Sequence, residues 1–316
     1  MPELDLLVLG DINPDVIVSA PGLHPEFGQV EQLVDRAAMV LAGSAAITAV
    51  GAARLGLSVG ICGVVGDDDL GRLMLACLTD AEVDVTQVRI DAHLPTGVSV
   101  ILDRGDDRAI LTAPGTISAL APVDLDKLGR TPARHVHAAS YYLMSDIYRE
   151  SLPAFFRGWR ERDVGTSMDS NWDPQRRWDL QAILRHCDLF LPNEGELIGV
   201  AGSPIVDRAL DIVAELGCDV AVKRGQSGGV ARVAGHTYRV ARTPTVEFVD
   251  SIGAGDSFDA GFIAGRLLGY DGGKCLAMAV AAGSLSTSAP GGTSGQPGMP
   301  DVTMWADRLP VNEVAP

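Results

Sequence analysis

Hydrophobic positions in this chain follow two rhythms. Short apolar runs at 5–9, 163–166, 189–191 and 246–249 predict strands, the first of them buried on both faces. Runs at 96–102 and 108–112 flank the polar stretch 103–107 and predict a hairpin. Runs at 16–20 and 29–36 around a Pro/Gly-rich loop predict a second strand pair. The other rhythm is helical. Phe258, Phe262 and Leu267 recur at helical spacing, and the small-residue stretch 279–288 predicts a further helix. The most apolar run, 39–53, is interrupted by Gly43, Ser44, Thr48 and Gly51, so it predicts a buried helix rather than a membrane span.

The helix around Phe258 follows a glycine turn, Gly253-Ala254-Gly255, and Asp256 falls in its first turn. Backbone N–H groups at a helix start lack intrahelical partners, and the helix dipole is positive there, which suits a phosphoryl group. A carboxylate at the same place would repel a phosphate. It makes chemical sense if Asp256 deprotonates an alcohol while the backbone holds the transferring group. The alternative is an aspartate that merely caps the helix.

Composition narrows the function. The chain has 316 residues, 47% of them hydrophobic, enough for one large α/β domain with an appendage or for two small domains. Its 25 Lys+Arg against 41 Asp+Glu give a net charge of −16, which disfavours nucleic acid and anionic membranes as partners. Five cysteines, none at CxxC spacing, predict reduced thiols, an intracellular location and no zinc site. The N-terminus, with Glu3 and Asp5, lacks the look of a secretory signal.

Other candidate groups sit where predicted strands end, the place where open parallel sheets bind ligands. Asp11 and Asp15 follow the first run; Asp169, Asn171 and Asp173 follow the run at 163–166; Asn193 and Glu196 follow the run at 189–191. His135 and His137 alternate onto one strand face, but no third metal ligand is evident. Gly225-Gln-Ser227-Gly-Gly229 matches G-x-S-x-G. A hydrolase elbow needs a helix after the serine, whereas 230–233 predicts a strand. No GxxxxGK[ST] is present, which disfavours a P-loop kinase.

Asp250-Ser-Ile-Gly-Ala-Gly-Asp256-Ser-Phe-Asp-Ala-Gly261 resembles the C-terminal signature of the ribokinase-like (PfkB) carbohydrate kinases. Gly10-Asp11-Ile-Asn-Pro-Asp15 resembles the family's first strand, and Val222-Lys223-Arg-Gly225-Gln-Ser-Gly228 its nucleotide-binding Val-Lys-x-Gly-x-x-Gly. The resemblance spans about residues 6–297. It implies a three-layer fold, a mostly parallel central sheet flanked by helices, in a single domain over 1–316. A small β-sheet lid would come from about 12–37 and 96–112. It implies an ATP-dependent kinase of a small sugar-like alcohol, with a nucleoside kinase as the alternative and a non-catalytic binder as a further one.

Residue by residue, the resemblance implies Asp256 as catalytic base and Gly253, Ala254 and Gly255 as the anion hole. Asp11, Asp15, Gly43, Ile47 and Asn171 would bind substrate. Asn193, Lys223, Gly225 and Gly228 would serve the nucleotide, Glu196 would hold Mg2+ through water, and Asp250 would serve a monovalent-cation site such as K+. It further implies a cytoplasmic homodimer. Three positions depart from the pattern. In Gly-Gly-x-x-x-Asn the first glycine is Ala42 and the asparagine is Ile47, and Asp173 replaces the arginine of Asp-x-Asn-x-Arg. Isoleucine cannot bond a sugar hydroxyl, so if Ile47 faces the pocket the site prefers a deoxy sugar, a nucleoside or a non-sugar alcohol. The loss of the arginine fork argues against an acidic or phosphorylated sugar.

Overall fold

The computed structural model describes residues 3–314 except 106, 130 and 174. Strands in chain order are β1 (Leu4–Leu9), β2 (Asn13–Ser19), β3 (Arg36–Ala42), β4 (Val59–Cys62), β5 (Val64–Gly66), β6 (Arg89–Asp91), β7 (Val98–Asp103) and β8 (Arg108–Ala113). They continue with β9 (Ala133–Ala138), β10 (Gly165–Met168), β11 (Leu189–Phe190), β12 (Asp219–Lys223), β13 (Gly229–Val233), β14 (His236–Val240) and β15 (Asn312–Val314).

The central sheet runs β15-β14-β13-β12-β11-β10-β9-β1-β4. From β4 to β12 every pairing is parallel, and β13, β14 and β15 add an antiparallel extension. Side chains alternate across a strand, so β1 feeds two cores: Leu6 and Val8 join one, Leu7 and Leu9 the other. The first core is closed by helices Ser44–Arg54, Ala254–Leu267 and Gly272–Leu285, the second by Asp146–Arg160, Glu194–Ala201 and Val206–Ala214. The small residues of the stretch 279–288 let two helices approach: a Cβ on Gly261 would lie 2.9 Å from both the Ala282 Cβ and the Met278 carbonyl. No helix among the described residues is long and apolar enough to cross a membrane.

A second sheet, β3-β2-β7-β8, stands apart from the first. The hairpin expected at 96–112 is β7 and β8. The partner of β2 is displaced from its expected place: 29–35 form no strand, and β3 begins at Arg36. The run 39–53 accordingly splits into a strand and a helix. Gly43, at φ +92°, makes the break, and a Cβ there would meet the Asp11 carbonyl at 2.6 Å. The stretch 246–249 is not a strand either. Phe248 and Val249 are exposed, and the Val249 N–H donates to the Thr287 carbonyl rather than to a sheet neighbour.

Candidate active site

The candidate residues converge at the carboxyl ends of β1, β10, β11 and β12, facing the start of helix Ala254–Leu267. Gly253 is the residue before that helix, and no side chain caps it. Asp256 is therefore buried at a helix start without serving as its cap, which removes the structural alternative. The Ala254 N–H bonds Ser251 and the Ser257 N–H bonds Gly253. Those of Gly255 and Asp256 lie between them, at the positive end of the helix. Burial raises the Asp256 carboxyl to about 7, with the charges of Asp169 and Asp11 adding to it and Lys223 and a hydrogen bond from Ser44 opposing.

Two clefts of about 640 and 670 Å³ meet beside this turn and share Phe248 and Ser251. The first lies against the small sheet, between Ile17, Ile101 and the 248–252 loop. The second is lined by Gly225, Gly228, Ala254, Gly255 and the end of helix Gly272–Leu285 near Thr287. Gly228 has φ +75°, and a Cβ there would fall 1.9 Å from the Val240 carbonyl, so only glycine fits this wall. The G-x-S-x-G serine lies in a single 3-10 turn followed by β13, so it forms no nucleophile elbow.

The carboxylates divide by what holds them. Asp11 Oδ1 accepts the Ala45 N–H at 3.1 Å and the Ser140 hydroxyl at 2.8 Å, and so supports the start of helix Ser44–Arg54 from outside it. Among the described residues Asp15 accepts a side-chain hydrogen bond from Asn13 alone, and burial with the nearby Asp11 charge raises it to about 7. Asn171 is satisfied internally, accepting the Ser140 N–H and donating to Ser44 Oγ at 2.8 Å. Ser44 thus links Asn171 to Asp256, a role the sequence pattern misses although the residue stands one place after Gly43. Asp173 accepts three N–H groups of its own loop, from Gln175, Arg177 and Trp178, and so acts as a loop organiser.

Asn193 and Glu196 form a reciprocal cap at the start of helix Glu194–Ala201: Asn193 Oδ1 accepts the Glu196 N–H, and Glu196 accepts the Asn193 N–H. Burial and the Asp169 charge raise Glu196 to about 7. Asp250 ties two loops together, accepting the N–H of Ile252 and of Gly291.

Lys223, expected at the nucleotide, lines the second cleft beside Gly225 and holds its ammonium against two carboxylates. Nζ lies 2.5 Å from Asp169 and 2.8 Å from Asp259. Burial alone would lower its pKa, but these two carboxylates raise it. Burial also opposes ionisation of both partners. Lys223 and the Asn171 N–H overcome this at Asp169, whereas burial keeps Asp259 well above the usual carboxylate range.

Ile47 turns away from solvent. It is 4% exposed, and Cβ atoms built on Gly253 and Gly292 would lie 2.9 and 2.4 Å from it, so it packs between the Gly253–Gly255 turn and the 291–292 loop. His135 Nε2 and His137 Nδ1 lie 2.7 and 2.9 Å from the same Ser167 hydroxyl. Burial holds both rings below their usual pKa, so the pair is a neutral hydrogen-bonded element of the core.

The sequence matches the pfkB family carbohydrate kinase pattern over residues 3–299. The chain belongs to the pfkB family of carbohydrate kinases. It is 32% identical over 300 residues to an ATP-dependent ribose-1-phosphate kinase of Halopiger xanaduensis, covering 92% of this chain and 94% of that one. It is 31% identical over 280 residues to a fructokinase of Klebsiella pneumoniae, covering 81% and 88%. The fold is shared with an Escherichia coli protein provisionally assigned as a ribokinase II and solved with ATP and Mg2+, at a TM-score of 0.85, 24% identity and coverage of 96% and 99%. Membership makes this chain an ATP-dependent kinase, a phosphotransferase with an alcohol acceptor. The ribokinase-like fold expected from the signature is the fold observed.

Proposed function

We propose that this pfkB kinase phosphorylates a small sugar bound against the small sheet, with Asp256 as the base. The acceptor hydroxyl would lie between Asp15 and Asp256, with ATP in the cleft bounded by Gly225 and Gly228. As the hydroxyl oxygen bonds the γ-phosphorus, its proton passes to Asp256. The bond from that phosphorus to the bridging oxygen breaks, and ADP leaves with the electron pair. The N–H groups of the Gly253–Gly255 turn take up the charge on the phosphoryl oxygens. The observation that carries this reading is Asp256 itself: a buried carboxylate, uninvolved in capping, in the first turn of a helix whose Ala254 and Gly255 line one cleft while the preceding Ser251 and Ile252 line the other.

Glu196 and Asn193 suit Mg2+ held through its water shell, because Glu196 is a buried carboxylate whose charge a cation would favour. Bound there, the metal would neutralise phosphate charge. The Asp250 loop with Gly291 is the proposed monovalent-cation site. The small sheet serves as the lid that excludes water during transfer. All of β8 is exposed, with Ile110 and Leu111 on its surface, and we assign this edge to a homodimer contact. The five cysteines are unpaired in the structure, in keeping with a cytoplasmic location.

We read Ile47, packed against Gly253 and Gly292, as part of the wall rather than a partner of the acceptor, so it does not by itself exclude hydroxyl-rich sugars. Tyr141 and Tyr142 are buried and Trp172 packs edge-on against Trp178, which leaves them poorly placed to stack a base. A nucleoside acceptor is the second reading, because Phe248 is largely exposed where the clefts join. The test is ADP release over a panel of pentoses, hexoses, their deoxy and monophosphate forms, and nucleosides. A sugar among the best substrates supports the reading; turnover of nucleosides alone replaces it with the second.

A further inference from the structure

Three observations meet at Lys223. Its ammonium bridges Asp169, just past the end of β10, and Asp259, one turn beyond Asp256 on the same helix. Its chain runs beneath the anion-hole turn: a Cβ built on Gly255 would lie 3.5 Å from Lys223 Cδ and 3.7 Å from Nζ. Carboxylate oxygens of Asp169, Asp256 and Asp259 all lie within 4.8 Å of one another, so the clamp and the base form one buried cluster. The cluster could be read as a cation site, but the lysine ammonium already sits against two of its three members.

We propose that Lys223 is a positioning residue for phosphoryl transfer, joining Asp259 on the helix to Asp169 at the sheet edge and so fixing the first turn that carries the anion hole and Asp256. The inference rests on Asp256 acting as the base. The chemistry requires such a clamp. Most catalysis in phosphoryl transfer is alignment and electrostatics, and a displacement of about 1 Å can cost roughly 10²-fold in rate. A helix start held only by apolar packing could pivot on the small residues that face Gly272–Leu285, where Gly261 and Gly265 present no side chain. The bridge joins segments 54 and 36 residues apart and crosses from sheet to helix at the reacting end. The resemblance assigns the same lysine to the nucleotide; it lines the second cleft, while its ammonium is held by the two carboxylates of the bridge.

Removing the lysine alone would strand a buried Asp169 charge and unfold part of the protein for an unrelated reason. The discriminating variant is therefore K223M/D169N, which removes one charge of each sign. We expect its Tm within a few degrees of wild type. Its kcat with the best sugar of the panel should fall at least ~10-fold, while KM for ATP and for sugar stays within about threefold. D259L severs the bridge from the helix side while leaving Lys223 paired with Asp169, and should show the same split; it carries the test if the double variant does not fold. The three substitutions together should cost little more than either set, because they break one connection. Recovery of kcat to within about twofold in folded K223M/D169N would overturn the clamp and leave the lysine as a neutraliser of Asp169. A loss confined to KM for ATP would return the lysine to the nucleotide. D256N is assayed in parallel: near-normal turnover there removes the base assignment whatever the lysine variants do.

Discussion

Ile47→Asn replaces the residue at which this chain departs most from its family. If isoleucine stood in the acceptor pocket, the change would restore a sugar contact and widen substrate range. The structure places the side chain elsewhere, wedged against Gly253 and Gly292 and 4% exposed. Losing a fully buried isoleucine side chain costs about 1.5–3 kcal/mol in transfer free energy. Burying an amide without a partner adds about 1–3 kcal/mol on the scale of protein mutational data. The sum is roughly 2.5–6 kcal/mol, a large share of the 5–15 kcal/mol that holds a typical domain folded. At about 2–4 °C per kcal/mol for chains of somewhat smaller size, Tm should drop by about 5–24 °C. The wedge touches the turn proposed as the anion hole, so kcat should fall as well, for every acceptor alike. Thermal melts and the substrate panel, run on wild type and variant, check both parts. A variant as stable as wild type that gains efficiency on hydroxyl-rich sugars would refute the packing argument and put residue 47 in the pocket.

Three further outcomes follow from the same geometry. Glu196→Gln keeps a partial cap at Asn193 but loses the charge, so the Mg2+ concentration for half-maximal rate should rise several-fold while KM for sugar holds; a change in sugar KM alone would contradict it. Gly228→Ala forces a Cβ into the Val240 carbonyl at 1.9 Å, so ATP affinity measured by calorimetry should fall at least ~10-fold, and an unchanged Kd would show that this wall is not the nucleotide's. Asp256 is raised to about 7, so the folded state binds its proton more tightly than the unfolded state does. Its contribution to stability is therefore present at low pH and lost as pH rises through about 7. Asp256→Asn should raise Tm relative to wild type at pH 8 and much less at pH 5; equal gaps at both pH values would contradict the burial of a titrating carboxyl.

What could be read from sequence was local. The helix after Gly253 announced itself by a glycine turn and by Phe258, Phe262 and Leu267, and the β7–β8 hairpin by alternating runs around a polar loop. The edge strand β3 was misplaced because residues 37–42 are apolar throughout, half of them alanine, and show no alternation with polar residues, and only the positive φ of Gly43 separates strand from helix. The strand expected at 246–249 had the right residues but pairs with no sheet neighbour, and its Val249 N–H bonds the 3-10 turn at Thr287 instead. The individual site residues were visible as motif positions, whereas their connections were not. Asp259 lies inside the signature without a role of its own, and Lys223 read as a nucleotide ligand. Nothing in a linear pattern says that two groups 36 residues apart share a hydrogen bond inside a buried cluster.

The central claim is that Asp256 takes the proton of the acceptor hydroxyl, and single-turnover phosphoryl transfer by Asp256→Asn tests it most directly. The substitution is nearly isosteric, so the helix start and both clefts should persist, with ATP bound as in wild type by calorimetry. With ATP and sugar saturating, the rate of transfer should fall at least ~10²-fold, the usual scale for a positioned general base. Transfer within a few-fold of wild type in a variant that binds ATP normally would contradict the account.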